Sequence, residues 1–153
     1  MKKKIILLVV CVGVICFIWG NSFLSAETSA AFSSWAGNLL AGIFGEGDAT
    51  QTVGGLSVRK LGHFVEFFAL GVVMTSLLTV WVKQLYSRCF IAALLGLFVP
   101  VMDETIQIFS GRGSSLRDVW IDVAGYTVAV SLTCVVFYLI KRLKSRGKNN
   151  NKI

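Results

Sequence analysis

Ile5-Ile-Leu-Leu-Val-Val-Cys-Val-Gly-Val-Ile-Cys-Phe-Ile-Trp-Gly-Asn-Ser-Phe23 runs for nineteen residues without a charged side chain. A helix needs about 20 apolar residues to cross a hydrocarbon layer of roughly 30 Å, so this stretch predicts a transmembrane span. Three more runs of similar length follow: Leu61–Val82, Cys89–Phe109 and Val119–Ile140. The expected fold is an all-α membrane protein with four transmembrane helices in an antiparallel bundle. Residues 1–153 form one membrane domain. Connections of six to nine residues make the second, third and fourth spans antiparallel neighbours.

Composition agrees. Of 153 residues 55% are hydrophobic and 15% charged, against about 25% charged in an ordinary soluble domain. A disordered chain would be poor in Phe, Leu, Ile and Val. Cys11, Cys16, Cys89 and Cys134 are scattered through apolar runs, which argues against a disulfide framework or a thiolate metal site and for small buried apolar residues. The formal charge of +7 raises the question of an anionic partner, but a mean hydropathy of +0.73 favours a membrane, and no nucleic-acid partner is expected.

The basic residues orient the chain. Lys2–Lys4, Lys83, Arg88 and the six cations of the 141–153 tail place eleven positive charges on one side, with no acid among them. Arg59, Lys60, Arg112 and Arg117 lie on the other side with all eight acids. By the positive-inside bias both termini are expected to be cytoplasmic. Trp19, Trp35 and Trp120 would mark the outer interface, and Trp81, Tyr86 and Tyr138 the inner one. Lys2–Lys4 followed by Ile5–Trp19 also looks like a signal peptide, but Leu24 at the −3 position makes cleavage after Ala26 poor, and a site after Ala30 is weak. An uncleaved helix is the favoured reading.

In the outer loop, 24–60, Phe32, Trp35, Ala36, Leu39, Leu40, Ile43 and Phe44 recur at helical spacing opposite Ser33, Ser34, Gly37 and Asn38. This predicts an amphipathic helix at the outer interface, with a mobile lid as the less favoured role. Gly45-Glu-Gly-Asp48 and Gly54-Gly55 read as turns.

Ionisable groups inside a span need a reason, because each costs roughly 2.5–3.5 kcal/mol at the bilayer centre on insertion scales. Here they gather in the outer third: His63 and Glu66, then Asp103, Glu104 and Gln107, then Asp118 and Asp122. His63 and Glu66 are three apart and share a helix face, as do Asp103 and Gln107 at four. Asp118, Asp122, Gly125 and Ala129 form one stripe, whose Gly125-x-x-x-Ala129 step permits close helix approach. The acids should therefore point into the bundle. His63, the single histidine, has three readings: a hydrogen bond to a carboxylate, a proton carrier, or a metal ligand. A carboxylate cluster can hold Mg²⁺ or Ca²⁺, but no ligand array of recognised spacing is present, so neither a metal nor a cofactor is expected. In Ser110-Gly-Arg-Gly-Ser-Ser-Leu-Arg117 the glycines flanking Arg112 leave N–H groups able to form an anion nest, beside Arg117 and a helix N-terminus. Ser115-x-x-Asp118 equally reads as a capping box.

Three blocks of the chain resemble the VanZ-like family of small bacterial membrane proteins, named for a teicoplanin-resistance accessory protein. They are Phe17-Ile-Trp-Gly-Asn-Ser22, Arg59-Lys-Leu-Gly-His-Phe-Val-Glu-Phe-Phe-Ala-Leu-Gly71, and Asp103-Glu-x-x-Gln-x-Phe109 with Gly111-Arg112 and Asp118-x-x-x-Asp-x-x-Gly125. Ser110 stands where the family commonly has proline, and Ala129 where a second glycine is common. The resemblance implies a four-helix bacterial cell-membrane protein associated with glycopeptide tolerance.

Two functions compete. One is binding of a polar or anionic cell-envelope ligand, such as a lipid-linked cell-wall intermediate, at the outer leaflet, through Arg112, Arg117, Lys60, Gln107, Asp118 and Asp122. The other is an outer-face hydrolase or transferase acting on a lipid-linked phosphate, with His63, Glu66, Asp103 and Glu104 as catalytic candidates. No Gly-x-Ser-x-Gly nucleophile motif is present. A transporter is disfavoured, because the inner half offers no polar path. Salt bridges that only fix helix register are the bland alternative. Membrane lipids are the expected partners.

Overall fold

Each apolar run forms a helix in a computed structural model, which describes residues 2–44, 52–53, 56–111, 113 and 115–150. The helices are α1 (Lys2–Ser22), α2 (Ala26–Phe44), α3 (Val58–Trp81), α4 (Leu85–Phe109) and α5 (Leu116–Asn150). Between α2 and α3, Thr52–Val53 pairs antiparallel with Leu56–Ser57. The expected turns at Gly45–Asp48 and Gly54–Gly55 lie outside the described residues. α1, α3, α4 and the Leu116–Arg146 part of α5 are each long and apolar enough to cross a membrane, and they form the antiparallel four-helix bundle.

The helices overrun the apolar runs for a physical reason. Hydropathy marks where a chain can meet lipid, whereas helix propensity is just as high for Lys, Arg and Gln as for Leu. α3 therefore begins at Val58 rather than Leu61, and α4 at Leu85 rather than Cys89. Arg88, in the first turn of α4, reaches back to the Val82 and Lys83 carbonyls at the end of α3. α5 continues through the basic tail to Asn150, where its cations suit the negative end of the helix dipole. Its 35 residues span about 52 Å at 1.5 Å per residue, well beyond the hydrocarbon thickness.

α3 is the hub. It packs most extensively on α5, then on α1, and also touches α4 and α2. Small residues make the α3–α5 seam. A β-carbon on Gly125 would lie 2.5 Å from the Phe64 carbonyl oxygen, and one on Gly71 would lie 2.6 Å from the Tyr126 carbonyl oxygen and 2.7 Å from the Ala129 β-carbon. The backbones meet there because no side chain separates them. On α4, Gly96 leaves room for the Tyr126 ring. The core consists of Cys11 and Ile18 from α1, Phe67, Leu70, Met74, Leu77 and Leu78 from α3, Val99 from α4 and Tyr126 from α5. Ile5, Val9, Phe90, Leu97, Val135 and Leu143 are exposed, as apolar residues are where the surrounding solvent is lipid.

α2 lies against α3 with a face the sequence pattern did not lead one to expect. Gly37 is buried and Ser33 and Ser34 are half-buried, while Phe32, Trp35 and Leu39 are exposed. Ser33, Ser34 and Gly37 thus face the bundle, while Trp35 and Leu39 face outward with Asn38, and Phe32 and Ala36 border a cavity beside α3.

Candidate functional site

The site begins where four helices end or start together. The last turn of α1 carries Asn21 and Ser22, the first turns of α3 carry Arg59, His63 and Glu66, the last turns of α4 carry Asp103, Glu104 and Gln107, and α5 brings Asp122. Antiparallel packing places all four segments at one end of the bundle. Asp103, Gln107 and Asp122 are fully buried, and Ser22, Glu104 and His63 nearly so.

A hydrogen-bond chain links Arg59, Gln107, Asp103, Ser22 and Ser110, and Asn21 with Glu66 forms a separate pair. Ser22 Oγ donates to Asp103 Oδ1 at 2.6 Å, and Gln107 Nε2 donates to Asp103 Oδ2 at 2.9 Å. The other side of the Gln107 amide, Oε1, accepts from Arg59 at 2.7 Å. Asn21 Nδ2 donates to Glu66 Oε1 at 2.9 Å. Ser110 Oγ closes the α1–α4 corner by donating to the Ser22 carbonyl at 2.9 Å. Gln107 is suited to this place because it offers an acceptor to a cation and a donor to a carboxylate from one rigid plane.

His63 stands at the centre. Its Nδ1 lies 3.4 Å from Asp122 Oδ1 and 3.8 Å from Asp103 Oδ2. One donor atom from each of His63, Asp103, Glu104 and Asp122 lies within 4.8 Å of the other three. Asp103, Glu104 and Asp122 therefore share a small volume with the His63 imidazole, and among the described residues the Arg59 guanidinium reaches it through Gln107. Concentrating carboxylates away from water is costly unless each is paired, so this end of the bundle is built around a charge problem.

Beside the cluster opens a cavity of about 380 Å³ between α1, α2 and α3. Phe17, Phe32, Val58, Leu61 and Val65 supply apolar walls, and Asn21, Arg59, His63 and Glu66 supply a polar end. Arg59 Nε is buried there without a hydrogen bond among the described residues.

A family model described as VanZ/LLP1 matches residues 5–140. The chain belongs to the VanZ-like family. It is a multi-pass membrane protein, with four spanning helices and lipid-facing apolar surfaces. No curated protein and no solved structure gives a significant match.

Within this VanZ-like bundle the candidates named from sequence separate into two groups. His63, Glu66, Asp103, Glu104, Gln107 and Asp122 come together at the polar end. Lys60 and Arg117 are exposed, and Asp118 is half-buried, close enough for its charge to act on Glu104 and Asp122. Arg112 lies outside the described residues. The capping box at Ser115-x-x-Asp118 takes a different form. Ser115 Oγ does accept from a helix N–H, that of Arg117 at 3.1 Å. The Ser115 N–H, however, goes to Glu104 Oε2 at 3.0 Å, so an acid from α4 does what Asp118 would have done.

Arg59, Asn21 and Ser22 are the participants that sequence reading passed over as site residues. For Arg59 a signal was there: Arg59, His63 and Glu66 fall at i, i+4 and i+7, one helix face, while Lys60 lies off it. For Asn21 and Ser22 the cues were polarity at the end of an otherwise apolar run and their place in the block Phe17–Ser22.

Proposed function

We propose that the polar end of the bundle holds the polar or anionic headgroup of a lipid-linked cell-envelope molecule, with its acyl part against the apolar wall of the adjoining cavity. In this reading the polar end faces the outer leaflet and both termini are cytoplasmic, and the association with glycopeptide (teicoplanin) tolerance follows from holding such a molecule. The observation that carries it is Arg59, a guanidinium at the polar end of a largely apolar cavity with a buried Nε unbonded among the described residues. Arginine prefers phosphate and carboxylate because its fork of donors matches their oxygens. Gln107 fixes one NH₂ of that fork, which leaves Nε for a ligand. The exposed Lys60 and Arg117 would add attraction for an anion, as would Arg112, while Asp118 and Asp122 would take part in binding polar groups of the ligand.

Mass spectrometry of lipids retained by the detergent-purified protein tests this. Wild type is expected to be enriched in one anionic lipid class relative to the host membrane, and Arg59→Ala to lose that enrichment at least about tenfold, as expected for one charge-assisted hydrogen bond of roughly 1.5–3 kcal/mol. Lipid profiles that match the bulk membrane in both proteins refute it.

His63 and Glu66 both line the same cavity, which favours a second reading: an outer-face hydrolase or transferase on a lipid-linked phosphate, with His63 or Glu66 in acid–base roles and Asp103 and Glu104 behind them. Turnover of a lipid phosphate that vanishes in Glu66→Gln would select it. Turnover unchanged in both His63→Ala and Glu66→Gln would remove it.

A further inference from the structure

We propose that His63, Asp103, Glu104 and Asp122 bind one divalent cation of the Mn²⁺ or Zn²⁺ kind. One donor atom from each lies within 4.8 Å of the other three. Two ligands on opposite sides of such an ion, at roughly 2.1 Å each, stand about 4.2 Å apart, so the four donors are nearly at coordination spacing. All four side chains are more than nine-tenths buried.

Proximity among acids would not by itself define a site. The unsatisfied atoms do. Both carboxylate oxygens of Asp122, Oε1 of Glu104 and Nδ1 of His63 are buried and make no hydrogen bond among the described residues. The 3.4 Å approach of His63 Nδ1 to Asp122 Oδ1 is an ion-pair contact, which leaves Asp122 Oδ2 and Glu104 Oε1 with no partner among those residues. Buried polar atoms nearly always have a partner, and an exception calls for an explanation such as an ion. Here the exceptions come from three different helices, and one donor atom from each of their residues lies within 4.8 Å of the others. The remaining oxygens are held from behind: Asp103 by Ser22 and Gln107, and Glu104 by the Ser115 N–H. Hydrogen bonds of this type orient ligating carboxylates at metal centres.

The donor set selects the ion. One imidazole nitrogen with carboxylate oxygens suits Mn²⁺, Fe²⁺ or Zn²⁺ better than the all-oxygen preference of Mg²⁺ and Ca²⁺. Three carboxylates around a doubly charged cation leave one negative charge, and Arg59 stands one side chain away, across Gln107. The cation would also join α3, α4 and α5 where the connections between them are polar. Sequence spacing could not reveal this array, because His63, Asp103/Glu104 and Asp122 come from separate helices. The inference goes beyond the lipid-binding reading and stands without it.

The test uses untagged, full-length protein in detergent, stripped with chelator and titrated with Mn²⁺. His63 is the only histidine in the chain, so nitrogen hyperfine coupling in the electron paramagnetic resonance spectrum of the bound ion assigns it without any mutation. One Mn²⁺ per chain, with that coupling and displaced by Zn²⁺, is the expected result. Asp122→Asn and Glu104→Gln should each weaken binding about tenfold or more, the scale on which lesser supporting contacts already act. Substoichiometric binding, a bound ion without nitrogen coupling, or unchanged affinity in both variants would overturn the site. The first of these outcomes would mean that protons, not a metal, neutralise the acids. If either variant fails to fold, the wild-type stoichiometry and spectrum still decide.

Discussion

Gly125→Ala probes how closely the site depends on the α3–α5 seam. The added β-carbon would stand 2.5 Å from the Phe64 carbonyl oxygen and 3.2 Å from the Phe64 carbonyl carbon and Cα, all backbone atoms that cannot rotate away. Ordinary contact begins near 3.4 Å, so α5 must retreat from α3 by about 0.9 Å. Overpacking of this kind costs roughly 1–3 kcal/mol, and a clash with backbone belongs at the upper end. The better helix propensity of alanine returns up to about 1 kcal/mol, so a net loss of about 2 kcal/mol is expected. Asp122 sits one turn before Gly125 on the same face. The same retreat would carry its Oδ1 from 3.4 Å to beyond 4 Å from His63 Nδ1, outside ion-pair range. The assay is thermal unfolding in detergent against Gly13→Ala, where a β-carbon meets nothing within 4 Å and stability should hold or rise slightly. A Gly125→Ala protein that unfolds at or above the temperature of Gly13→Ala would refute the claim that the seam is closed by backbone contact.

Two further substitutions test individual polar groups. Ser22→Ala removes a buried 2.6 Å bond to the Asp103 carboxylate and should destabilise by about 1.5–3 kcal/mol, the range for hydrogen bonds to charged groups; an unchanged unfolding midpoint would show that the bond contributes nothing. Tyr126→Phe should do the opposite. The Tyr126 hydroxyl is buried without a hydrogen bond among the described residues, so deleting it is expected to leave stability equal or raise it by about 1 kcal/mol, and a clear loss in the same assay would reveal a partner for it.

The spans were legible because a membrane imposes one length and one composition on every helix that crosses it. Their ends were not, since Leu85–Arg88 and the basic stretch after Ile140 are polar yet helical, and hydropathy is blind to that. In the site, the local part could be read: His63 with Glu66, and Asp103 with Gln107, are fixed by helix geometry alone. The long-range part could not. Ser22 and Asp103 are 81 residues apart, and Arg59 and Gln107 are 48 apart; such pairs follow from the way helices stack, which spacing within one helix does not encode. The outward turn of Trp35 and Leu39 on α2 was hidden for a related reason. An amphipathic pattern tells which face is apolar, and in a bilayer the apolar face need not be the one that packs on protein.

The hydrogen-bond chain at the polar end also has a direction in time. A polypeptide leaves the ribosome from its N-terminus, so α1 with Asn21 and Ser22 is made first, then Arg59 and His63, and only afterwards Asp103 and Asp122. Glu66 follows its donor Asn21, Asp103 follows Ser22, and Asp122 follows His63. Each of these carboxylates is synthesised after the group that receives it. For these three acids the order of the chain thus supplies a partner in advance, whereas Glu104 precedes its donor Ser115 by only eleven residues.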